Sequence, residues 1–333
     1  MPGNKVTIRG LAQAANVSIG TVSRALKGQP GLSEQTRAQV LRVAQQMGYD
    51  MGKLRAGKPR RILFLYSRQL SSLATNHFYS IVLHGAESAC RDAGVSLSLL
   101  SVGAGDDLAV LVRRHEAEAL IGAGHFEPDT VDAMRTCDLP LVLVDHFHPS
   151  VRCVNDDNLH GALLATRHLL EGGARRLAMI LGPMSHHSVA LRAKGFRRAL
   201  FEAGRLADPE LEVTLDMTLP YEQAGQLAMH QLLSLPHRPD AVFAYNDETA
   251  LNAMATCEEA GLRVRFVGYD DIAAAARSRP SLSTVRVDKE ALGREAVQCL
   301  LEGRVDAGNT LLPIELLVRE SSQPVAVGAS EAA

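Results

Sequence analysis

VTIRGLAQAANVSIGTVSRALKGQPGLSEQTRAQVLRVAQQMGY, residues 6–49, is the stretch on which the organisation of this chain turns. Ile8, Leu11, Ala12 and Ala15 recur at helical spacing, with Thr7 placed to cap the first turn. Asn16 interrupts the pattern, and Asn is among the few residues besides glycine that tolerate the left-handed conformation. Ser18 is placed to cap a second helix, Ile19 to Lys27, with Val22 and Leu26 as its inward pair. Gly28-Gln29-Pro30-Gly31 predicts a loop, and Ser33 starts a third helix with Glu34 near its positive end. Val40, Leu41, Ala44 and Met47 form the apolar stripe of that helix, which stops at Gly48. Two short helices joined by a tight turn, then a longer one, is helix-turn-helix organisation.

Charge separates this head from the rest. Residues 1–61 hold eleven basic side chains against Glu34 and Asp50, a net +9, while the remainder carries −11. A small basic head on a large acidic body is expected of a polyanion-binding module joined to a domain that does not bind polyanions. The 333 residues suffice for two domains, and 46% hydrophobic content allows a sizeable core. No apolar run approaches the ~20 residues of a membrane span, and MPGNKVTIRG lacks the apolar stretch of a signal peptide. A cytoplasmic protein with no membrane partner is therefore expected. The cysteines (90, 137, 153, 257 and 299) are odd in number and scattered, without a CxxC pair. That excludes a disulfide framework or a zinc ribbon and fits a reducing cytosol. Trp is absent, so no site is built on indole stacking.

From Arg61 onward short apolar runs alternate with helical patterns. Residues 62–66, 95–102, 119–123, 139–145, 176–181, 239–245 and 263–270 read as buried strands. Helical stretches lie at 79–93, 158–171, 188–203, 221–235, 248–260 and 288–302. Repeated β-α units imply parallel sheets covered by helices on both faces. Ligands in such sheets bind beyond the carboxyl ends of the strands. Polar residues collect there: Asp145 after one strand, Asn246 and Asp247 after another, Asp270 and Asp271 after a third.

The head carries a resemblance. NVSIGTVSRAL followed by SEQTRAQVL and MGY is similar to the DNA-binding headpiece of the LacI/GalR (lactose-repressor) family, with Gly10 in place of the usual Asp and Asn16 in place of Gly. NHFYSIVLHGAE (76–87), ALRAKGFRRAL (190–200), AVFAYNDETALNAM (241–254) and VGYDD (267–271) resemble landmarks of its effector domain. The resemblance implies an all-α helix-turn-helix headpiece, then an α/β two-lobed periplasmic-binding-protein-like domain with parallel sheets. On that reading 1–49 is the headpiece, 50–60 a short basic hinge, 61–320 the effector-binding and dimerisation domain, and 321–333 a disordered tail. It also implies a homodimer on double-stranded, near-palindromic operator DNA, and a small-molecule effector between the lobes. The expected function is a ligand-responsive repressor of a carbohydrate-utilisation operon, with purine nucleobases as the alternative ligand class.

Residue by residue, the resemblance places Ile19, Gly20 and Arg24 at base edges and Ser18, Thr21 and Ser23 near phosphates, with Thr7 also among the DNA-binding residues. Arg24 alone of the first group has a bidentate donor fork suited to guanine. Phe78, Asp145, Arg192, Asn246 and Asp270 should face the effector. The chemistry suits a polyhydroxylated ligand: carboxylates accept from hydroxyls, Arg and Asn donate, and Phe78 offers a flat apolar face.

Three departures shape expectations further. The segment between Gly261 and Val267 and the stretch from Asp145 to Cys153 are shortened, and His77 replaces a Pro, all expected to alter the cleft rim. The linker after Tyr49 is about one helical turn short. Leu54 aligns with the family's minor-groove wedge and Arg55 with a phosphate contact, but Gly52 and Gly57 bracket a helix too short to nucleate alone. A wedge and a flexible basic spacer both remain open.

Other chemistry finds little support. Gly103-Ala-Gly105 and Gly122-Ala-Gly124 lack the third glycine of a dinucleotide fingerprint. The histidine-dense stretches, His146-Phe-His148 and His186-His187, share no element with a third ligand at metal spacing. No nucleophile motif or P-loop occurs, so no cofactor, metal or catalysis is expected. A sugar transport protein would need an export signal and no basic head. An enzyme of sugar phosphates or nucleotides should show a glycine-rich phosphate loop.

Overall fold

The computed structural model describes residues 7–26, 31–47, 49, 58–68, 77–103 and 105–323. In the head, α1 (Ile8–Ala14) is capped by Thr7, whose Oγ1 accepts from Gly10 N at 3.2 Å. Asn16 turns the chain at φ 52. Ser18 caps α2 (Ile19–Leu26) by accepting from Thr21 N at 3.0 Å, and Ser33 caps α3 (Glu34–Gln46) by accepting from Thr36 N. Leu11, Ala12, Ala15, Val22, Ala25, Val40 and Ala44 form the buried centre. Two details differ from the apolar stripes expected above. Ala25 shares the inner face of α2 with Val22 while Leu26 is half-buried, and Leu41 and Met47 are exposed on α3 while Val43 packs inward. Leu41 follows Val40 by a single step of about 100°, which carries it off the buried face.

The body consists of two six-stranded sheets. The first uses β1 (Arg61–Ser67), β2 (Ser96–Val102), β3 (Ala119–Ala123), β4 (Leu141–Val144), β5 (Arg152–Asp156) and β11 (Gly308–Leu312), in the order β11-β5-β4-β3-β1-β2. All its neighbours are parallel. The second uses β6 (Leu177–Leu181), β7 (Glu212–Thr214), β8 (Ala241–Ala244), β9 (Arg265–Asp270), β10 (Ser283–Val287) and β12 (Ile314–Leu317), in the order β12-β10-β9-β8-β6-β7. Only the β10–β12 pair is antiparallel. The chain passes between sheets after β5, after β10 and between β11 and β12. Three passages tie two lobes into one body without merging their sheets.

Helices cover both faces of each sheet. In the first lobe α4 (His77–Ala93) and α12 (Lys289–Leu301) lie on one face, with α5 (Leu108–Arg114) and α6 (Pro128–Thr136) on the other. In the second, α7 (Asn158–Glu171) and α8 (His187–Glu202) oppose α9 (Tyr221–Leu233) and α10 (Asp247–Glu259); the short α11 (Ala273–Arg277) follows β9. One apolar core runs through both lobes, from Phe64 and Val144 to Phe243 and Tyr269. Gly85 of α4 and Gly293 of α12 let the two backbones touch, since a Cβ at either would overlap the other helix's carbonyls. β2 departs from the buried strand expected at 95–102: it is a half-exposed edge. The ordered chain also runs past the expected boundary at 320. Glu320–Ser322 forms a 3-10 turn, and Ser321 Oγ, buried, donates to Phe266 O at 2.7 Å. Among the described residues no helix is long and apolar enough to cross a membrane.

Candidate functional sites: a helix end and a cleft

The start of α2 is open. Ile19 is 49% exposed, Gly20 and Arg24 are exposed, and Ser23 is half-buried, while Val22 and Ala25 hold the underside. Ser18 Oγ and Thr21 Oγ1 lie 2.8 Å apart, and Arg24 Nε donates to Gly20 O at 3.4 Å. Thr7 stands at the start of α1 as its cap. Leu54 and Arg55 lie outside the described residues. Arg61, the last basic residue of the head, belongs to the body: its guanidinium sits 2.7 Å from Glu116 and 3.6 Å from Glu118.

The second site forms where strands of both sheets end. Asp145 follows β4 at φ 54 and is buried. It accepts from Tyr79 Oη at 2.6 Å and from Ser188 Oγ, and His186 Nε2 lies 3.6 Å away. Arg192, on α8 and 5% exposed, donates from Nε to Asn158 Oδ1 at 2.7 Å and from Nη1 to Tyr245 O at 2.5 Å. Its guanidinium lies 3.5 Å over the Tyr269 ring, and Nη2 is 3.6 Å from Asp270 Oδ1. Tyr269 Oη donates to Asp156 Oδ2 at 2.8 Å, and Lys289 Nζ donates to the Asp270 carbonyl.

Electrostatics here are set by crowding. Burial pushes the Asp270 carboxyl up to about 6 against the pull of Arg192 and Lys289, and burial also raises Asp156. Asp247, buried beside Asp270, is pushed up to about 8 although Thr284 Oγ1 and Ile272 N donate to it. Asp270 Oδ1 and Asp156 Oδ1 are buried without a hydrogen-bond partner. Buried acceptors left unpaired are costly, so donors arriving from a bound molecule are favoured there.

The fold thus gathers Asp145, Arg192 and Asp270 around one cleft. Phe78, half-buried, meets the Tyr79 ring edge-on at 5.1 Å, one residue from the hydroxyl that serves Asp145. Asn246 is more fully engaged than its residue type suggested. Its Oδ1 caps α10 by accepting from Thr249 N, and its Nδ2 donates to Tyr221 Oη at 2.7 Å. Sequence reasoning missed Tyr79, Asp156, Asn158, Ser188 and Tyr269, whose neighbours in space come from other elements. It also set aside histidines that the fold collects: the ring of His125 lies 5.9 Å from His146 and 5.7 Å from His186. Among the described residues no group of three such side chains stands close enough to hold a metal ion.

The shortened segment 261–267 lies elsewhere than the cleft rim. It leads into the start of β9, at the opposite end of the strand from Asp270, and lines a cavity of about 770 Å³ with Met254, Cys257 and Arg279.

Comparison with known proteins agrees with this architecture. Residues 7–50 match the family model described as bacterial regulatory proteins, lacI family, and residues 166–322 match a periplasmic binding protein-like domain. The ribose operon repressor of Escherichia coli (strain K12) is 30% identical over 311 residues, covering 89% of this chain and 92% of that one. The HTH-type transcriptional repressor PurR of Photobacterium profundum is 28% identical, covering 95% and 98%. Among solved structures, a complex of the transcriptional regulator CelR with cellobiose superposes with a TM-score of 0.72 at 28% identity, covering 95% of this chain and 99% of that one. A lac repressor dimer bound to operator and the anti-inducer ONPF gives 0.71 at 26%, covering 96% and 100%. With its helix-turn-helix head, its two-lobed body and these relatives along nearly its whole length, the chain belongs to the LacI family of bacterial regulatory proteins.

Proposed function

We propose that this protein is a homodimeric repressor that binds double-stranded operator DNA in the cytoplasm. A small, neutral, polyhydroxylated molecule, a sugar, changes its affinity for DNA by binding between the lobes; it catalyses no reaction. The observation that carries the ligand reading is the two buried carboxylate oxygens that accept no hydrogen bond, Asp156 Oδ1 and Asp270 Oδ1, the latter 3.6 Å from the Arg192 guanidinium. Hydroxyl groups fit such a surface because each can donate to a carboxylate and accept from Arg. Asp145 reaches the cleft from the first lobe, and Arg192 and Asp270 reach it from the second. A ligand touching both sides binds the closed clamp better than the open one, and that difference is what couples it to DNA. In the head, Ile19, Gly20 and Arg24 face base edges, and Thr7, Ser18, Thr21 and Ser23 lie against phosphates. Leu54 wedges into the minor groove with Arg55 on the backbone.

Selection of bound duplexes from a random pool, repeated with ribose, cellobiose, hypoxanthine and guanine, tests this. A palindromic consensus whose retention changes with a sugar is expected. A response to hypoxanthine or guanine alone overturns the sugar assignment, and no enriched sequence overturns the operator reading.

A further inference from the structure

The mouth of the cleft is bridged by side chains of the protein itself. Ser188 Oγ, at the start of α8 in the second lobe, donates to Asp145 Oδ1 of the first. His186 Nε2 lies 3.2 Å from Tyr79 Oη and 3.6 Å from Asp145 Oδ2. The rings of His186 and His125 are 5.7 Å apart, and the His187 ring stacks on Phe147 at 5.1 Å with an interplanar angle of 17°. Each contact joins the N-terminal end of α8 to the loops after β3 and β4 or to α4. They span the two lobes.

We propose that His186 and His187 of the second lobe, seated on His125, His146, Phe147 and Asp145 of the first, form a proton-sensitive latch that holds the cleft shut while the imidazoles are neutral. The inference rests on reading the cleft as the effector site, because opening the latch would regulate that site. Three features of the geometry oppose charge on these rings. His186 and His187 sit at the positive end of a 16-residue helix. His186 has His125, His187 and Arg192 as cationic or potentially cationic neighbours, and His146 has His125, His186 and His187. Asp145 is the nearby carboxylate, and it already accepts from Tyr79 and Ser188. Glu127 reaches only His125, at 3.8 Å. Tyr79, the remaining titratable group from α4, is a donor to Asp145.

Burial lowers His186 and His187, and burial with the neighbouring rings lowers His146 to about 4. The sign follows from linkage. Rings released into solvent bind protons near 6.5, so the open cleft takes up more protons than the closed one, and closure is lost as pH falls from there toward 4. His146 alone, moved from 6.5 to about 4, shifts the closed–open balance about 25-fold toward open between pH 7.5 and pH 5.

The chain contains no Trp, so Phe147→Trp in the full-length protein supplies a single indole stacked on His187, excited to the red of tyrosine absorption. Fluorescence is followed from pH 7.5 to 5 without any ligand, with far-UV circular dichroism confirming the fold at each pH. The latch predicts a red shift of the emission maximum on acidification, as the indole leaves the imidazole for water. In the reporter background, His146→Gln with His186→Gln should flatten that transition. Hydrogen exchange at amides 186–190 of the unsubstituted protein, corrected for intrinsic rate, should accelerate over the same range. An emission maximum that stays in place, including one whose intensity alone falls because a protonated His187 quenches a stack still in place, overturns the latch. So does the same transition in the glutamine variant. Because no sugar is present, a failed ligand screen would count against the effector reading and leave this result standing.

Discussion

Replacing Arg192 with Met removes a buried charge while keeping most of the side-chain volume, so the consequence is electrostatic. The guanidinium bonds to Asn158 Oδ1 and Tyr245 O, stacks on Tyr269 and faces Asp270. Hydrogen bonds to a charged group contribute about 1.5–3 kcal/mol each, and removing one partner of a buried pair costs about 3–5 kcal/mol. The two figures describe overlapping interactions and do not add. Arg192→Met should therefore lose about 3–5 kcal/mol of stability at pH 8. The deficit must also depend on pH. The native Asp270 carboxyl, at about 6, already lies above its ordinary value of 3.8, and without Arg192 it rises further. A folded carboxyl with a raised pKa binds more protons than the unfolded one, so stability increases as pH falls through the folded value. Each pH unit over which the variant holds a proton that the native site lacks returns about 1.4 kcal/mol; the native carboxyl is itself half protonated at pH 6, so the deficit should shrink by up to about 2 kcal/mol between pH 8 and pH 6. Urea unfolding at pH 6 and pH 8, followed by far-UV circular dichroism, measures both values. Fluorescence anisotropy on a selected operator should show DNA binding retained and the ligand response lost. A deficit below about 1 kcal/mol at pH 8, or an equal deficit at both pH values, would refute the role assigned to this pair.

Four further outcomes are expected. Arg24→Ala should erase base preference at one position per half-site, a loss of about 1–3 kcal/mol of discrimination in competition binding, while Gly20 supplies no side-chain readout to replace it. Gly293→Ala gains about 1 kcal/mol of helix propensity but drives a methyl into the Val82 carbonyl; overpacking by about 1–3 kcal/mol or more should win, lowering the melting temperature. Leu54→Ala should weaken operator binding and reduce DNA bending in gel-shift assays, whereas Arg61→Ala, already paired with Glu116, should leave the salt dependence of binding nearly unchanged.

The headpiece and the alternation of strands and helices are legible in the chain because their causes are local. Thr7, Ser18 and Ser33 each cap a helix within three residues of themselves, and Asn16 turns the backbone with its own φ of 52. Apolar periodicity likewise locates α7 to α10 within a residue or two, since each helix announces its own buried face. β7, three residues long, and β5, whose last residues Asn155 and Asp156 are polar yet buried, carry no such local pattern. The cleft is legible only in part. Asp145, Arg192 and Asp270 could be singled out by strand-end position and family pattern, but not the reason they matter to each other. That reason lies in Tyr79, Asn158 and Tyr269, core-like or cap-like residues until three passages of chain between two sheets bring them to one place. The histidines show the same limit most plainly. His125, His146 and His186 stand on separate loops with unremarkable neighbours in sequence, and a ring's surroundings are set by whatever elements pack around it. Helix caps and periodicity are decided within a turn or a strand; which charges share a buried site, and so which protons they hold, is decided by the closing of one lobe on the other.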